Sequence, residues 1–172
     1  RSYKNSINIK TVAVTGSVGK TTTKEMIASV LSQRYNVGKT AGNLNTDIGL
    51  SLTVLGFTSD VECAVLEMGM SGFGEIRSMS KAANPTVAMV TNIGSSHLEY
   101  LRTRENIAKA KCEISKFLNK KGTLLAHDTD LIRKVNDFTG ETIYLGLNSK
   151  DLSNIKLNAN SSEFQYKNEN YK

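Results

Sequence analysis

The chain has few of the residues that hold small extracellular or zinc-binding domains together. Its 172 residues include two cysteines, Cys63 and Cys112, and two histidines, and no two cysteines are spaced as C-x-x-C. Two isolated cysteines exclude a disulfide framework, and so few sulfur and imidazole ligands argue against a structural zinc site. The cysteine content suits a reducing compartment, and we expect a cytoplasmic protein.

Long apolar segments are also missing. No apolar run approaches the roughly 18 residues that a membrane-spanning helix needs. The first residues, Arg1-Ser2-Tyr3-Lys4, are not followed by the apolar segment of a signal peptide. We therefore expect no membrane association.

The chain carries a net charge of +6 at pH 7. Its lysines are scattered, and no basic stripe is interleaved with aromatic residues, so we expect no nucleic-acid partner. An anionic substrate that carries phosphate would explain the charge as well as a nucleic acid would, and a solvated basic surface explains it best.

The most informative stretch runs from Val12 to Thr23, where a β-branched run is followed by a glycine-bounded turn and an amphipathic helix. A strand, loop and helix in this order bind phosphate through backbone N–H groups and the helix N-terminus. Lys20 can reach the outer phosphates of a nucleotide, and the Thr21 hydroxyl can bind Mg²⁺. Val14 stands where the longer Walker pattern has glycine, so the match is to the shorter form G-x-x-G-K-T. The candidate phosphate-binding residues are Gly16, Ser17, Val18, Gly19, Lys20, Thr21 and Thr22.

Buried-strand patterns alternate with helical patterns along most of the chain, which predicts an α/β fold with a mostly parallel sheet flanked by helices. We expect the first helix to run from about Lys20 to Tyr35, and a later helix from Arg104 to Asn119. The segment 151–172 alternates in character around Asn160-Ser161-Ser162, which predicts a C-terminal β-hairpin. In the first helix, the apolar residues expected to face the sheet are Met26, Ile27, Val30 and Leu31.

Two further polar residues follow predicted strands. Glu67 ends the strand from Val61 to Leu66, and His97 lies in the loop after the strand from Thr86 to Asn92. The carboxyl ends of parallel strands meet at one sheet edge, so both residues are expected near Thr21. Together they could bind Mg²⁺, although Glu67 could also be a solvated strand-end carboxylate and His97 an ordinary polar loop residue.

Lys111 is the one lysine of its predicted helix that shares the apolar face. It lies four residues after Ile107 and three before Ile114. Such a lysine must extend its amine to solvent, form an ion pair or lose its charge. A partly neutral amine could react with an electrophile.

The segment from Thr40 to Gly49 is rich in glycine, asparagine and aspartate, which predicts a loop. Loops of this length on an α/β scaffold are often binding loops, and a solvated connector is an equally good interpretation. A short helix is expected from Ile48 to Leu55.

These motifs together resemble those of the Mur ligases, the ATP-dependent amide ligases of peptidoglycan precursor synthesis. The resemblance covers about residues 10–145. It is carried by four segments: Thr15–Thr22, Glu67-Met68-Gly69, Thr91–Glu99 and Ile107–Lys111. Within the family, the segments Thr40–Gly49 and Gly72–Ile76 look like the MurF branch, which adds D-Ala-D-Ala to UDP-MurNAc-tripeptide.

The resemblance implies ATP and Mg²⁺ as cofactors and an acyl phosphate as the reaction intermediate. It implies that Lys20 holds the outer phosphates and that Thr21 and Glu67 share a first Mg²⁺. His97 would bind a second Mg²⁺, and Asn43 would position the phosphoryl group or the substrate carboxylate. Lys111 matches the lysine that Mur ligases carry as a carbamate, which would support the second metal.

The resemblance also implies a domain assignment. Residues 1–172 would form a truncated central ATP-binding domain of a ligase whose N-terminal UDP-sugar domain and C-terminal domain lie outside this chain. We expect a monomer that is inactive by itself. The alternatives are another Mur-type ligase, a folylpolyglutamate synthase, or a P-loop nucleotide-binding module without ligase activity.

Overall fold

A computed structural model describes residues 9–146, 152–158, 161–167 and 169–171 of the chain. The first four residues and the predicted turn residue Asn160 lie outside these ranges. Within them, the predicted α/β fold with a C-terminal hairpin is confirmed.

Six strands form one sheet in the order β2-β3-β1-β4-β5-β6, and every neighbouring pair is parallel. The carboxyl ends of these strands therefore share one edge of the sheet. The strands of this sheet are β1 Lys10–Thr15, β2 Val37–Lys39, β3 Cys63–Glu67, β4 Val87–Val90, β5 Thr123–His127 and β6 Glu141–Leu145.

Helices connect these strands. They are α1 Lys20–Leu31, α2 Asp47–Leu55, α3 Glu75–Ala83, α4 Leu98–Leu101, α5 Arg104–Cys112 and α6 Asp130–Val135, with a 3₁₀ helix at Glu113–Phe117. In the described part of the chain, no helix is long and apolar enough to cross a membrane.

The two faces of the sheet are covered by different helices, because successive strand residues point to opposite sides. Ala13 of β1 belongs to the larger core, which includes residues of α2, α3, α5 and α6. Its neighbours Val12 and Val14 belong to a smaller core with α1, which contributes Ala28. Helix α1 is thus packed on the opposite face of the sheet from the larger group of helices.

The inner face of α1 differs from the prediction. Met26 and Val30 are 65% and 72% exposed, so the expectation that they face the sheet is wrong. The residues that face inward are Lys24 and Ala28, with Ile27 and Leu31 partly buried beside them. These four positions follow the spacing i, i+3, i+4, i+7 of a single helix face. The helix also ends at Leu31 rather than Tyr35.

The helix predicted from Arg104 to Asn119 is shorter and changes type. It is α-helical to Cys112 and continues as the 3₁₀ helix. The Glu113 carboxylate accepts hydrogen bonds from the backbone N–H groups of Gly74 and Arg77, at 2.9 to 3.2 Å. These bonds place a negative charge at the N-terminus of α3, where the helix dipole stabilises it.

Two strands were not expected from the sequence. Strand β2 has three residues and pairs with β3 at the sheet edge. The C-terminal hairpin, formed by β7 Leu152–Leu157 and β8 Ser162–Tyr166, is extended by a third antiparallel strand, β9 Glu169–Tyr171.

Candidate active site

The phosphate loop joins β1 to α1 and contains two glycines with positive φ. Gly16 has a φ of +155°, and a Cβ atom there would lie 1.8 Å from Thr91 Oγ1. Gly19 has a φ of +79° at the N-cap of α1. Only glycine satisfies both the space at position 16 and the left-handed conformation at position 19 at low cost. The loop therefore has the backbone freedom that a phosphate cradle requires.

The loop after β4 holds the phosphate loop in place. The Asn92 side chain accepts a hydrogen bond from Val18 N at 3.1 Å and donates one to Val18 O at 3.0 Å. Thr91 Oγ1 also donates to Val18 O, at 2.8 Å. On the other side, Ser17 N donates to Asn92 O and Ser17 Oγ accepts from Gly94 N. Together these contacts preorganise the loop, so phosphate binding has less conformational entropy to overcome.

Two lysine ammonium groups meet at one carbonyl oxygen of this loop. Lys20 Nζ donates to Gly16 O at 3.0 Å, and Lys111 Nζ donates to the same oxygen at 2.9 Å. Lys111 is 1% exposed, which confirms the inward position expected from its helical spacing. Burial, and then the charge of Lys20, lower the pKa of Lys111 from 10.5 to about 8.

This pKa matters for the chemistry of the amine. A pKa of about 8 leaves roughly 10% of the amine neutral at pH 7, against roughly 0.03% for an ordinary lysine. Only a neutral amine can add to carbon dioxide. The site therefore meets one requirement for carbamate formation at Lys111.

Glu67 lies at the carboxyl end of β3 and is 1% exposed. Its Oε1 accepts a hydrogen bond from Asn45 Nδ2 at 2.9 Å, whereas its buried Oε2 has no hydrogen-bond partner. A buried carboxylate oxygen without a hydrogen bond is unusual, and carboxylate oxygens are the ligands that Mg²⁺ prefers. This observation fits the expectation that Glu67 helps to bind Mg²⁺. Among the described residues there is, however, no cluster of three His, Cys, Asp or Glu side chains that could hold a metal without other ligands.

The asparagine-rich loop comes between β2 and α2. Thr40 anchors its start: its N–H donates to Val65 O, and its Oγ1 accepts from Glu67 N at 3.0 Å. The asparagine of this loop that contacts Glu67 is Asn45, whereas the predicted Asn43 is exposed. The role of Asn43 therefore stays a prediction.

His97 follows the segment after β4 whose residues Asn92 and Gly94 contact Ser17 and Val18. It has a φ of +65° and is the N-cap of the four-residue helix α4. A non-glycine residue in this conformation costs about 1 kcal/mol or more, and such strain is found often at functional sites. Within the described residues, no hydrogen bond or ion pair joins His97 to Glu67, and its role as a ligand of a second Mg²⁺ stays a prediction.

The structure thus joins Lys20 and Lys111 through Gly16, and it brings Glu67 into contact with the asparagine-rich loop. Thr21 and Thr22 lie in the first turn of α1 and are exposed, so both are accessible to a ligand from solvent. Three residues at the site had been assigned no role from the sequence: Lys24, Asn45 and Asn92. The buried position of Lys24 could have been found from its spacing with Ile27, Ala28 and Leu31. The contacts of Asn45 and Asn92 depend on tertiary structure.

Comparison with known proteins decides the family. Residues 14–172 match the family model described as the Mur ligase middle domain. The chain belongs to the Mur ligase family. It is 51% identical over 125 residues to the UDP-N-acetylmuramoyl-tripeptide–D-alanyl-D-alanine ligase of Bacillus subtilis (strain 168). The aligned region covers 73% of this chain and 27% of that protein.

Solved structures agree with this assignment. The crystal structure of the MurF ligase from Thermotoga maritima in complex with ADP superposes with a TM-score of 0.87 at 35% identity. The match covers 99% of this Mur ligase chain and 41% of that protein. A folylpolyglutamate synthase from L. casei also superposes, with a TM-score of 0.69, but at 15% identity that likeness shows the fold alone. The chain spans less than half the length of the B. subtilis and T. maritima ligases.

Proposed function

We propose that this chain forms the ATP-binding part of a ligase that adds D-Ala-D-Ala to UDP-MurNAc-tripeptide. The observation that carries the proposal is the buried Lys111 amine on the Gly16 carbonyl, next to Lys20 in the phosphate loop. An ordinary P-loop module needs Lys20 but has no use for a second, desolvated lysine at the same oxygen. The MurF relatives support the choice of substrates.

In the proposed reaction, the terminal carboxylate of the tripeptide attacks the γ-phosphorus of ATP, and ADP leaves. The amine of D-Ala-D-Ala then attacks the acyl phosphate, and the tetrahedral intermediate releases inorganic phosphate as the amide forms. This chemistry needs charge neutralisation around the moving phosphoryl group more than it needs a covalent nucleophile.

The residues of this chain would divide that task. The backbone of residues 16–22 would hold the phosphates, with Lys20 on the outer ones. Thr21 and Glu67 would hold one Mg²⁺ and His97 a second, and bound Mg²⁺ would neutralise charge on the phosphate oxygens. Asn43 would position the phosphoryl group or the carboxylate.

Lys111 would act as a carbamate. Its neutral amine adds to carbon dioxide with loss of one proton, and the lysine becomes an anion. A carbamate oxygen at this position would support the second Mg²⁺ site beside the phosphate loop.

We further propose that the chain is the central domain of a three-domain enzyme. The low coverage of the relatives, 27% for the B. subtilis ligase and 41% for the T. maritima structure, supports this arrangement. We expect a cytoplasmic monomer whose UDP-sugar and D-Ala-D-Ala sites are completed by the other two domains.

The test is phosphate release by the full-length protein that contains these residues, measured with Mg²⁺ and ATP. Release is expected only when UDP-MurNAc-tripeptide and D-Ala-D-Ala are both present, because the acyl phosphate forms on one substrate and is consumed by the other. Two reactions, each lacking one of these substrates, are the controls. Equal turnover of ATP in the absence of both substrates would favour the P-loop module and refute the ligase.

A further inference from the structure

Lys24 is a fully buried lysine that the proposed reaction does not use. It lies on the inner face of α1, one turn after Lys20, and is 1% exposed. Burying an ammonium group costs several kcal/mol unless the charge is paired and hydrogen-bonded. At a position packed beside Ala28 and Ile27, an apolar residue would avoid that cost. The contacts of the ammonium group therefore need an explanation.

These contacts join three elements. Lys24 Nζ donates to Thr40 O at 2.8 Å, where the asparagine-rich loop begins after β2. It lies 3.8 Å from Glu67 Oε2 at the end of β3. It also forms an ion pair at 3.1 Å with Glu25, whose other partner is the exposed Lys39. Helix α1, the loop and the Glu67 carboxylate are thus tied to one buried charge.

The geometry at Glu67 shows what this charge does. Asn45 holds Oε1 by a hydrogen bond, and the 3.8 Å separation places Lys24 within ion-pair distance of Oε2 but beyond hydrogen-bond distance. The ammonium group therefore helps to fix the position of the carboxylate, while Oε2 accepts no hydrogen bond and keeps a lone pair free for a cation. Because Lys24 is buried, it cannot itself reach a substrate in solution.

We propose that Lys24 is a positioning residue for magnesium-dependent nucleotide binding, acting through Glu67 and the Thr40 carbonyl. This inference rests on the proposed function, in which Glu67 shares a metal with Thr21. Within the described part of the chain, Lys24 forms no hydrogen bond or ion pair with residues 16–19 of the phosphate loop. Its removal should therefore weaken the metal-dependent part of binding and leave the metal-free part intact.

The experiment measures ADP binding to the full-length protein by calorimetry, once with Mg²⁺ and once with EDTA. In Lys24→Met, the gain in ADP affinity that Mg²⁺ confers should fall about 10- to 100-fold, as is typical when a residue that orients a metal ligand is removed. The affinity measured in EDTA should be unchanged. Lys39→Met is the matched control, because it removes a lysine from the same ion-pair network without touching Glu67 or Thr40, and it should bind as wild type.

A second variant covers the case in which Lys24→Met does not fold. Lys24→Gln keeps a hydrogen-bond donor for Thr40 O but removes the charge beside Glu67, so it should also lose the Mg²⁺-dependent gain. A Mg²⁺-dependent gain equal to that of wild type in the folded variant would overturn the proposal. An equal loss with Mg²⁺ and with EDTA would also overturn it, because it would show a purely structural role. Failure of the wild-type protein to bind ADP, or to require both substrates, would refute the proposed function instead.

Discussion

Lys111 offers a test in which stability and activity should move in opposite directions. The pKa of this lysine falls from 10.5 to about 8 because burial, and then Lys20, disfavour its charged form. Since one pKa unit corresponds to about 1.4 kcal/mol, the charged amine destabilises the folded protein at pH 7 by about 3 kcal/mol. Lys111→Met removes this charge and fills a similar volume.

The variant should therefore be more stable than wild type by about 1 to 3 kcal/mol at pH 7, as is found for some buried charges replaced by apolar residues. The loss of the hydrogen bond to Gly16 O is tolerable, because Lys20 still donates to that oxygen at 3.0 Å. Ligase activity should nevertheless be lost, and added bicarbonate should not restore it, since methionine has no amine to carbamylate.

The effect of Lys111 on the stability of the folded protein should decrease as the pH rises. Below pH 8, Lys111 is charged in the folded and unfolded states, and the full destabilisation is present. Between pH 8 and 10.5 the unfolded state binds more protons than the folded state, so the stability of wild type rises with pH through this window. Lys111→Met lacks this contribution, and the difference between the two proteins should shrink towards pH 10.

The assay is urea denaturation of both proteins at several pH values in bicarbonate-free buffer, which prevents carbamate formation. A variant that is less stable than wild type by the same amount at every pH would refute the reasoning. Activity near that of wild type would refute the carbamate assignment.

Two further predictions concern the phosphate loop and the cysteines. Asn92→Ala removes the side chain that hydrogen-bonds to both the N–H and the carbonyl of Val18. ADP affinity measured by calorimetry should therefore fall about tenfold, which corresponds to the loss of one or two hydrogen bonds. An unchanged affinity would show that the loop is preorganised by other contacts. Burial raises the pKa of Cys112 to about 12 and also raises that of Cys63. Both thiols should therefore react slowly with a disulfide reagent at pH 8 and rapidly in urea, and fast labelling of the native protein would contradict their burial.

The position of Lys111 could be predicted because its helix has a clear apolar face, on which one lysine stands out. The same reasoning failed for α1, where it selected the apolar residues Met26 and Val30 and left out Lys24. The inner face of α1 includes a lysine because Glu67 and Thr40, which are distant in sequence, supply its partners. Local periodicity contains no information about such partners.

Strand β2 and the 3₁₀ helix were missed for a similar reason. Three residues that include Gly38 have no strand pattern of their own, and pairing with β3 makes them a strand. Likewise, Glu113 looks like one more helical residue until the N–H groups of α3 are placed beside its carboxylate. The strand–loop–helix arrangement around residues 16–19, in contrast, was predictable because its glycines, lysine and threonines are contiguous.

Helix α1 rigidly connects the loop at Gly16 with the Glu67 carboxylate. Lys20 reaches the Gly16 carbonyl from its first turn, and Lys24 reaches Thr40 and Glu67 one turn later, with a rise of only about 6 Å between them. A translation or rotation of this helix must displace both lysines together. The loop at Gly16 and the Glu67 carboxylate are therefore mechanically linked, and a displacement at one of them is transmitted through α1 to the other.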